Sequence, residues 1–424
     1  MQSGTARCLP AALVTAVLLA IVALLGGCST LPDRTRYAGD DLLNAHVVGF
    51  PPDIRLWSDA PVEAVRKEAQ LARAQARRGA PAVDGKLPPL RILALSGGGE
   101  DGAFGAGLLV GWTEHGSRPQ FDIVTGVSTG SLIAPLAFVG PSHDTALREA
   151  FTTIDKKNIL LIQGIFRILT GESVATTAPL REMVARFVTP DLLKAVDAEH
   201  RKGRRLFVVT THLDSQRAVL WDMGRIAGSG HPEAITLFRE VLVASAAVPG
   251  VFPPVYFDVQ SGGRRFQEMH VDGGVTAQVF SIPLAAGVAA MASAPERERH
   301  LYVIINNRVA PQFDLPRRGL LSIASRSIST LIKMQGASGT RDLYHLARSV
   351  RAGFNLAYID DDFTEVTPAP FDRGYMNKLF AYGYELGRRG YPWKKLPPGL
   401  DPNTPSEAQP SRPARGSGNA RPPS

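Results

Sequence analysis

Three glycine-framed segments occur in one order along the 424-residue chain: Gly97-Gly98-Gly99-Glu100-Asp101-Gly102, Gly126-Val127-Ser128-Thr129-Gly130 and Asp272-Gly273-Gly274. Their residue types suit acyl transfer to and from a serine. In the first, successive N–H groups of Gly97, Gly98 and Gly99 can converge on one oxyanion because no side chain blocks the approach. In the second, Ser128 fits a nucleophile on a sharp strand-to-helix turn, with Gly126 and Gly130 letting strand and helix pass close together and the Thr129 N–H facing the same oxyanion. A serine hydroxyl is a weak nucleophile until a neighbouring group takes its proton. Asp272 sits in a glycine-bounded turn after the β-rich Phe266 to Val271, whereas His212, His231, His270, His300 and His345 offer imidazoles downstream of the serine. None of these histidines lies in a glycine-bounded loop after a predicted strand, so a Ser128–Asp272 dyad is expected over a Ser-acid-His triad. A carboxyl in a cleft that excludes water holds its proton more readily than in solvent and can serve as base without imidazole. Asp272 taken alone fits a turn-capping role equally well.

The glycine run also matches the G-x-G-x-x-G dinucleotide fingerprint and lies between a predicted strand and helix. The acidic partner argues against that use. Asp122 lies at the start of the second predicted strand, while a ribose-binding acid belongs at that strand's C-terminal end, where this chain has Ser128.

These residues must be carried by alternating strands and helices. Apolar strands are predicted at Arg91–Ser96, Phe121–Val127, Arg205–Thr211, Ala218–Asp222, Arg264–Val271 and His300–Asn306, with helices at Val62–Arg78, Ala103–His115, Ser131–Val139, Ala234–Ala247, Ser281–Ala292 and Ile323–Phe354. Such alternation predicts an α/β fold with a mainly parallel central sheet covered by helices on both faces. Ile159 to Leu169 is apolar on nearly all sides and fits either a lipid entrance or a buried packing helix.

The N-terminus predicts a cellular address. Arg7 precedes an apolar run from Ala11 to Leu25, closed by Leu25-Gly26-Gly27-Cys28, and the segment resembles a bacterial lipoprotein signal. The run has the length of a secretory h-region, about 7 to 15 residues, and falls short of the roughly 20 that span a bilayer. The resemblance implies a lipidated Cys28 and, with Ser29 following it, a lipid-anchored protein of the cell envelope at the outer membrane, facing the periplasm. Loss of Cys8 with the signal would leave no disulfide in the mature chain, as the sequence holds two cysteines. The formal net charge of +8 is modest, part of it lies in a Pro-rich segment from Lys394 to Ser424, and no nucleic-acid-binding motif accompanies it. The expected organisation is a signal over 1–27, a tether and N-terminal helix over 28–88, a hydrolase domain with C-terminal helices over 89–393, and an unpacked basic tail over 394–424.

Taken together, Gly97 to Gly102, the elbow at Ser128, Asp272-Gly273-Gly274 and Ala244-Ser245-Ala246-Ala247-Val248-Pro249-Gly250-Val251-Phe252-Pro253-Pro254 resemble the patatin-like phospholipase family of lipid acyl hydrolases, over roughly Leu90 to Asn306. The resemblance implies a three-layer α/β/α domain, a Ser128–Asp272 dyad, a lipid or phospholipid substrate, and no metal or cofactor. One departure stands out: many members carry a basic residue just after the glycines, where this chain has Glu100-Asp101, and acids there would disfavour an anionic head group close by. The alternative from another class is a catalytically inactive membrane-anchored scaffold that keeps the fold.

Overall fold

Strands with apolar residues on both faces must be covered on both sides, and this chain follows that rule through its centre. In the computed structural model, which describes residues 34–79, 88–154, 159, 161–162, 172–280, 297–309, 313, 315–316 and 318–400, the strands in chain order are β1 (His46–Val47), β2 (Arg55–Trp57), β3 (Leu90–Leu95), β4 (Ile123–Val127), β5 (Leu161–Ile162), β6 (Ala175–Thr176), β7 (Arg205–His212), β8 (Arg217–Asp222), β9 (Val255–Ser261), β10 (Arg264–Asp272), β11 (Arg299–Arg308) and β12 (Gly353–Ile359). The helices are α1 (Gly39–Leu43), α2 (Val62–Gly79), α3 (Gly102–Glu114), α4 (Thr129–Val139), α5 (Asp144–Thr152), α6 (Ala178–Phe187), α7 (Pro190–Arg201), α8 (Met223–Ala227), α9 (Ala234–Ser245), α10 (Leu320–Ser349) and α11 (Arg373–Arg388). The signal segment with Cys28, the predicted helix Ser281–Ala292, residues 163–169 of the apolar run and the tail beyond residue 400 lie outside the described residues.

Strands β7, β4, β3, β11 and β12 pair in parallel, in that order, and antiparallel pairs of β7 with β8 and β10, β10 with β9, and β9 with β1 extend the sheet beyond them. All eight residues of β7 are buried. One large apolar core, including Leu93, Leu95, Phe104, Leu108, Phe138 and Phe238, fills one side of the sheet, and a second, including Ile92, Val303, Leu343 and Leu346, lies under α10. The three-layer α/β/α architecture is the one the sequence predicts.

The register decides where the site forms. β8 runs along one edge of β7 from Phe207 to His212, so β4 and β10 must share the other edge. β4 occupies it up to Val127 opposite Val209, and β10 begins there with Asp272 opposite Thr210. Two strands therefore meet end to end, with Ser128 leaving one and Asp272 ending the other.

Two differences from the predicted elements have plain causes. The helix read from Ile323 to Phe354 stops at Ser349, the chain turns through Arg351 at φ +53°, and Phe354 onward forms β12, buried from Phe354 to Ile359 against β11. Lys394, the first residue of the predicted tail, exchanges both backbone hydrogen bonds with Leu356, at 2.8 and 3.0 Å, so the chain stays on the sheet past that point. In the apolar run, Ile159 is buried, while Leu161 is exposed on the short β5–β6 pair.

Candidate active site

The strand-to-helix turn holds Ser128 at φ 51° and ψ −124°, a conformation that strains any side-chain-bearing residue. Neighbouring groups enforce it. The Ser128 N–H donates to Ser245 Oγ (3.1 Å), whose own hydroxyl donates to the Val209 carbonyl (2.7 Å), and the Ser128 carbonyl accepts from Ser131 Oγ (2.6 Å) and the Ser131 N–H (2.8 Å). A methyl group on Gly126 would lie 2.4 Å from the Gly130 carbonyl oxygen, and one on Gly130 2.5 Å from that of Leu95, so β4, β3 and α4 close on the turn only with glycine at both places. Ser245 is wholly buried, and its position inside the Ala244–Pro254 segment gave no sign of this clamp. Ser245→Ala leaves the Ser128 N–H and Val209 carbonyl without their partner, which is expected to cost about 1–3 kcal/mol of stability by thermal or denaturant unfolding and to lower turnover by loosening the elbow.

Asp272 is 4% exposed and Ser128 8%, and both line one cavity. Asp272 Oδ1 accepts the Gly274 N–H at 2.6 Å, and Oδ2 is buried with no hydrogen bond of its own among the described residues. The Ser128 hydroxyl is nonetheless near enough to favour the charged carboxylate; contacts of this kind often tighten only when substrate binds. Burial outweighs both neighbours and pushes the Asp272 carboxyl up to about 7, the range in which a carboxylate works as a general base near neutrality.

Of the N–H groups that the sequence offers to an oxyanion, one is already engaged. The Gly97 N–H is spent on the Gln278 carbonyl at 2.9 Å, which removes it from the set and leaves Gly98, Gly99 and Thr129. Gly99 opens a 3₁₀ turn over Gly99–Asp101 at φ +58°, and Thr129 opens α4, so their N–H groups have no acceptor within those turns. Gly98 lies so close to the Asn306 carbonyl that an added Cβ would fall 1.9 Å from its oxygen. Asn306 also ties the turn's base, its Nδ2 donating to the Ser96 carbonyl (2.8 Å) and its Oδ1 accepting the Gly105 N–H (3.1 Å). Glu100 and Asp101, which follow the glycines, are engaged by the C-terminal part of the chain. Glu100 Oε2 accepts the Phe371 N–H (2.7 Å), Asp101 Oδ1 accepts the Tyr375 hydroxyl (2.6 Å), and burial raises the Asp101 carboxyl to about 7.

Ser128 stands between two cavities. One is apolar, lined among others by Leu132, Ile159, Leu180, Met183, Phe187 and Met376. The other contains Asp272 and adds polar groups from Gln278, Asn307, Ser329 and Gln335. No histidine hydrogen-bonds to Ser128 or Asp272 among the described residues. His270 meets Thr210 Oγ1 (2.9 Å) and Glu268, His212 meets Ser215 and Tyr37, His300 pairs with Glu298, His231 packs on Phe50, and His345 packs edge-on to Tyr344. His212, Glu268 and His270 bring candidate metal-ligating atoms within 4.8 Å of one another, but Arg55 grips both oxygens of Glu268, making the group a buried ion network rather than an open ligand set. Asp122, the acid of the dinucleotide reading, precedes β4 and accepts the Arg91 N–H at 2.7 Å.

The family model described as patatin-like phospholipase matches residues 93–283, a span that contains the glycine turn, Ser128 and Asp272. Among solved structures, the crystal structure of VipD from Legionella pneumophila is similar at 14% identity and a TM-score of 0.37, over 73% of this chain and 69% of that one. No curated protein matches the sequence.

Proposed function

From the premise that this chain carries a domain of the patatin-like phospholipase family over residues 93–283, we propose that it is a serine lipid acyl hydrolase that cleaves carboxylic esters through a Ser128–Asp272 dyad. The observation that carries this reading is the meeting, at one strained serine hydroxyl, of an apolar cavity and a buried carboxyl held near neutrality.

The acyl chain enters the apolar cavity, which brings the ester carbonyl carbon against Ser128 Oγ. Asp272 Oδ2 takes the hydroxyl proton as the Oγ–C bond forms, and the carbonyl oxygen becomes an oxyanion facing the N–H groups of Gly98, Gly99 and Thr129. Collapse of the tetrahedral intermediate breaks the ester C–O bond, and the departing alcohol takes the proton from Asp272. A water molecule then gives its proton to the same carboxylate and attacks the acyl-enzyme, releasing the fatty acid and returning the proton to Ser128. Gln278 and Gly274 keep the turn after Asp272 in place: Gln278 accepts the Gly97 N–H on its carbonyl and donates from Nε2 to the Gly274 carbonyl at 3.3 Å.

A long-alkyl fluorophosphonate should label Ser128 alone, as mapped by peptide mass spectrometry, and the unlabelled protein should release fatty acid from phospholipid micelles. Absence of label on Ser128 in a protein that still cleaves the lipid would overturn the dyad, and absence of both would overturn the hydrolase.

A further inference from the structure

A turn of successive glycines does not hold its own shape, because nothing but its hydrogen bonds limits its backbone. The turn beside Ser128 is closed within by the Asp101 N–H donating to the Gly98 carbonyl (3.1 Å), and its other ties reach across the chain. Phe371 and Tyr375, 271 and 274 residues farther on, grip Glu100 and Asp101 through the N–H and the hydroxyl described above. The same short segment also walls the apolar cavity, where Phe371 and Met376 join Gly99, Ser128 and Thr129. One element therefore touches both the place of the acyl chain and the turn that faces the oxyanion.

Phe371 stands at φ +55°, in the left-handed region that a bulky side chain rarely enters. Such a backbone persists only where its surroundings impose it, and here they act from three sides. The N–H is taken by Glu100, the side chain packs against the cluster of Ile154, Ile159, Ala247 and Phe252, and the next residue, Asp372, caps α11 by accepting the Tyr375 N–H at 2.8 Å. Of these supports, the one on the cavity side is the one that a substrate can change. An empty cavity offers the ring fewer partner atoms than a filled one, so a bound chain steadies Phe371 and, through its N–H, the Glu100 end of the turn.

We propose that Phe371, Tyr375, Glu100 and Asp101 couple filling of the acyl cavity to the shape of the oxyanion turn, with the two acids as positioning residues that hold the Gly98 and Gly99 N–H groups on target without touching the ester. This coupling rests on the hydrolase reading above. It gives the acids that follow the glycines a task that no cation there could perform, since only an acceptor can take the Phe371 N–H and the Tyr375 hydroxyl. Its kinetic mark is that acyl carbons far from the carbonyl raise kcat, because their binding energy goes into setting the turn that acts on the transition state.

The test compares kcat and KM for p-nitrophenyl acetate and p-nitrophenyl octanoate, using the full-length protein. In the wild type kcat should be at least about tenfold higher for the octanoate. Tyr375→Phe removes the hydroxyl and Glu100→Ala the acceptor, and in each the ratio of octanoate to acetate kcat should fall by about fivefold or more. Glu100→Gln, whose amide oxygen still accepts the Phe371 N–H, should keep the ratio within about twofold. A wild-type ratio near one, a ratio unchanged in the variants, or a change confined to KM overturns the coupling and leaves the hydrolase standing. Hydrolysis of neither ester by the wild type overturns both. Circular dichroism checks the fold of each variant; should Glu100→Ala unfold, Tyr375→Phe carries the comparison together with Phe371→Ala, which empties that wall of the cavity, keeps the N–H and should lower the ratio as well.

Discussion

Ser128→Ala and Asp272→Asn should each lower ester hydrolysis by at least about 10⁴-fold, because in the proposed dyad the two residues act as one unit and either loss disables it. The alanine variant lacks the atom that becomes acylated. The asparagine variant keeps the hydroxyl, and its amide oxygen can still accept the Gly274 N–H now held at 2.6 Å, but it cannot accept a proton. What survives in both should be the small contribution of the N–H groups of Gly98, Gly99 and Thr129 together with substrate binding. The wild type should follow the ionisation of its base: kcat/KM on a soluble p-nitrophenyl ester should rise tenfold per pH unit below about 7 and level off above it, because burial holds the Asp272 carboxyl near that value. The residual rate of Asp272→Asn should lack that step. Turnover within tenfold of wild type in either variant would remove the dyad.

The residues of the candidate site that are legible in the sequence share one property: they depend on local sequence. The elbow could be read because Gly126 and Gly130 frame Ser128 within five residues, and Asp272 because Gly273 and Gly274 follow it at the end of an apolar strand. What escaped depends on partners far along the chain. Nothing near Gly97 announces that its N–H is taken by Gln278, nothing near Ser245 that its hydroxyl would meet Ser128, and nothing near Asn306 that it would brace the glycine turn. The misplaced end of α10 has a different cause, since Val350 to Ile359 carries an apolar pattern that a helix accommodates nearly as well as a strand, and only pairing with β11 decides it. Helix α11 falls among the C-terminal helices expected before residue 393 but without bounds in the sequence reading, and Gly107 and Gly111 of α3 leave room for it. An added Cβ on either would fall 2.1 Å from the carbonyl oxygens of Phe380 and Tyr384 respectively, so these glycines mark a close helix crossing rather than weak helix propensity.

The same buried carboxyl that is proposed as the base should cost the fold stability, and that cost can be measured apart from activity. Asp272 titrates near 3.8 when exposed and is raised to about 7 in the fold, so between those values the folded chain holds a proton that the unfolded chain has released. Stability from this group is therefore complete below about pH 4 and lost as pH rises through about 7, with a limit on the order of 4 kcal/mol at pH 8. Asparagine carries no such charge. Asp272→Asn and wild type should unfold at similar temperatures near pH 4, and the variant should become more stable by several degrees at pH 8. The comparison must be a difference, because other groups bend the wild-type curve in both directions. Asp101 and Asp222 are also raised to about 7 and lose stability with rising pH, whereas buried His200 and His212, lowered to about 4, withdraw stability as pH falls below their ordinary 6.5. These terms cancel between variant and wild type and leave Asp272 alone. A Tm difference that does not grow with pH would mean that the carboxyl ionises as freely in the folded protein as in water, and a carboxyl so exposed could not sit in the water-excluding cleft that the dyad needs.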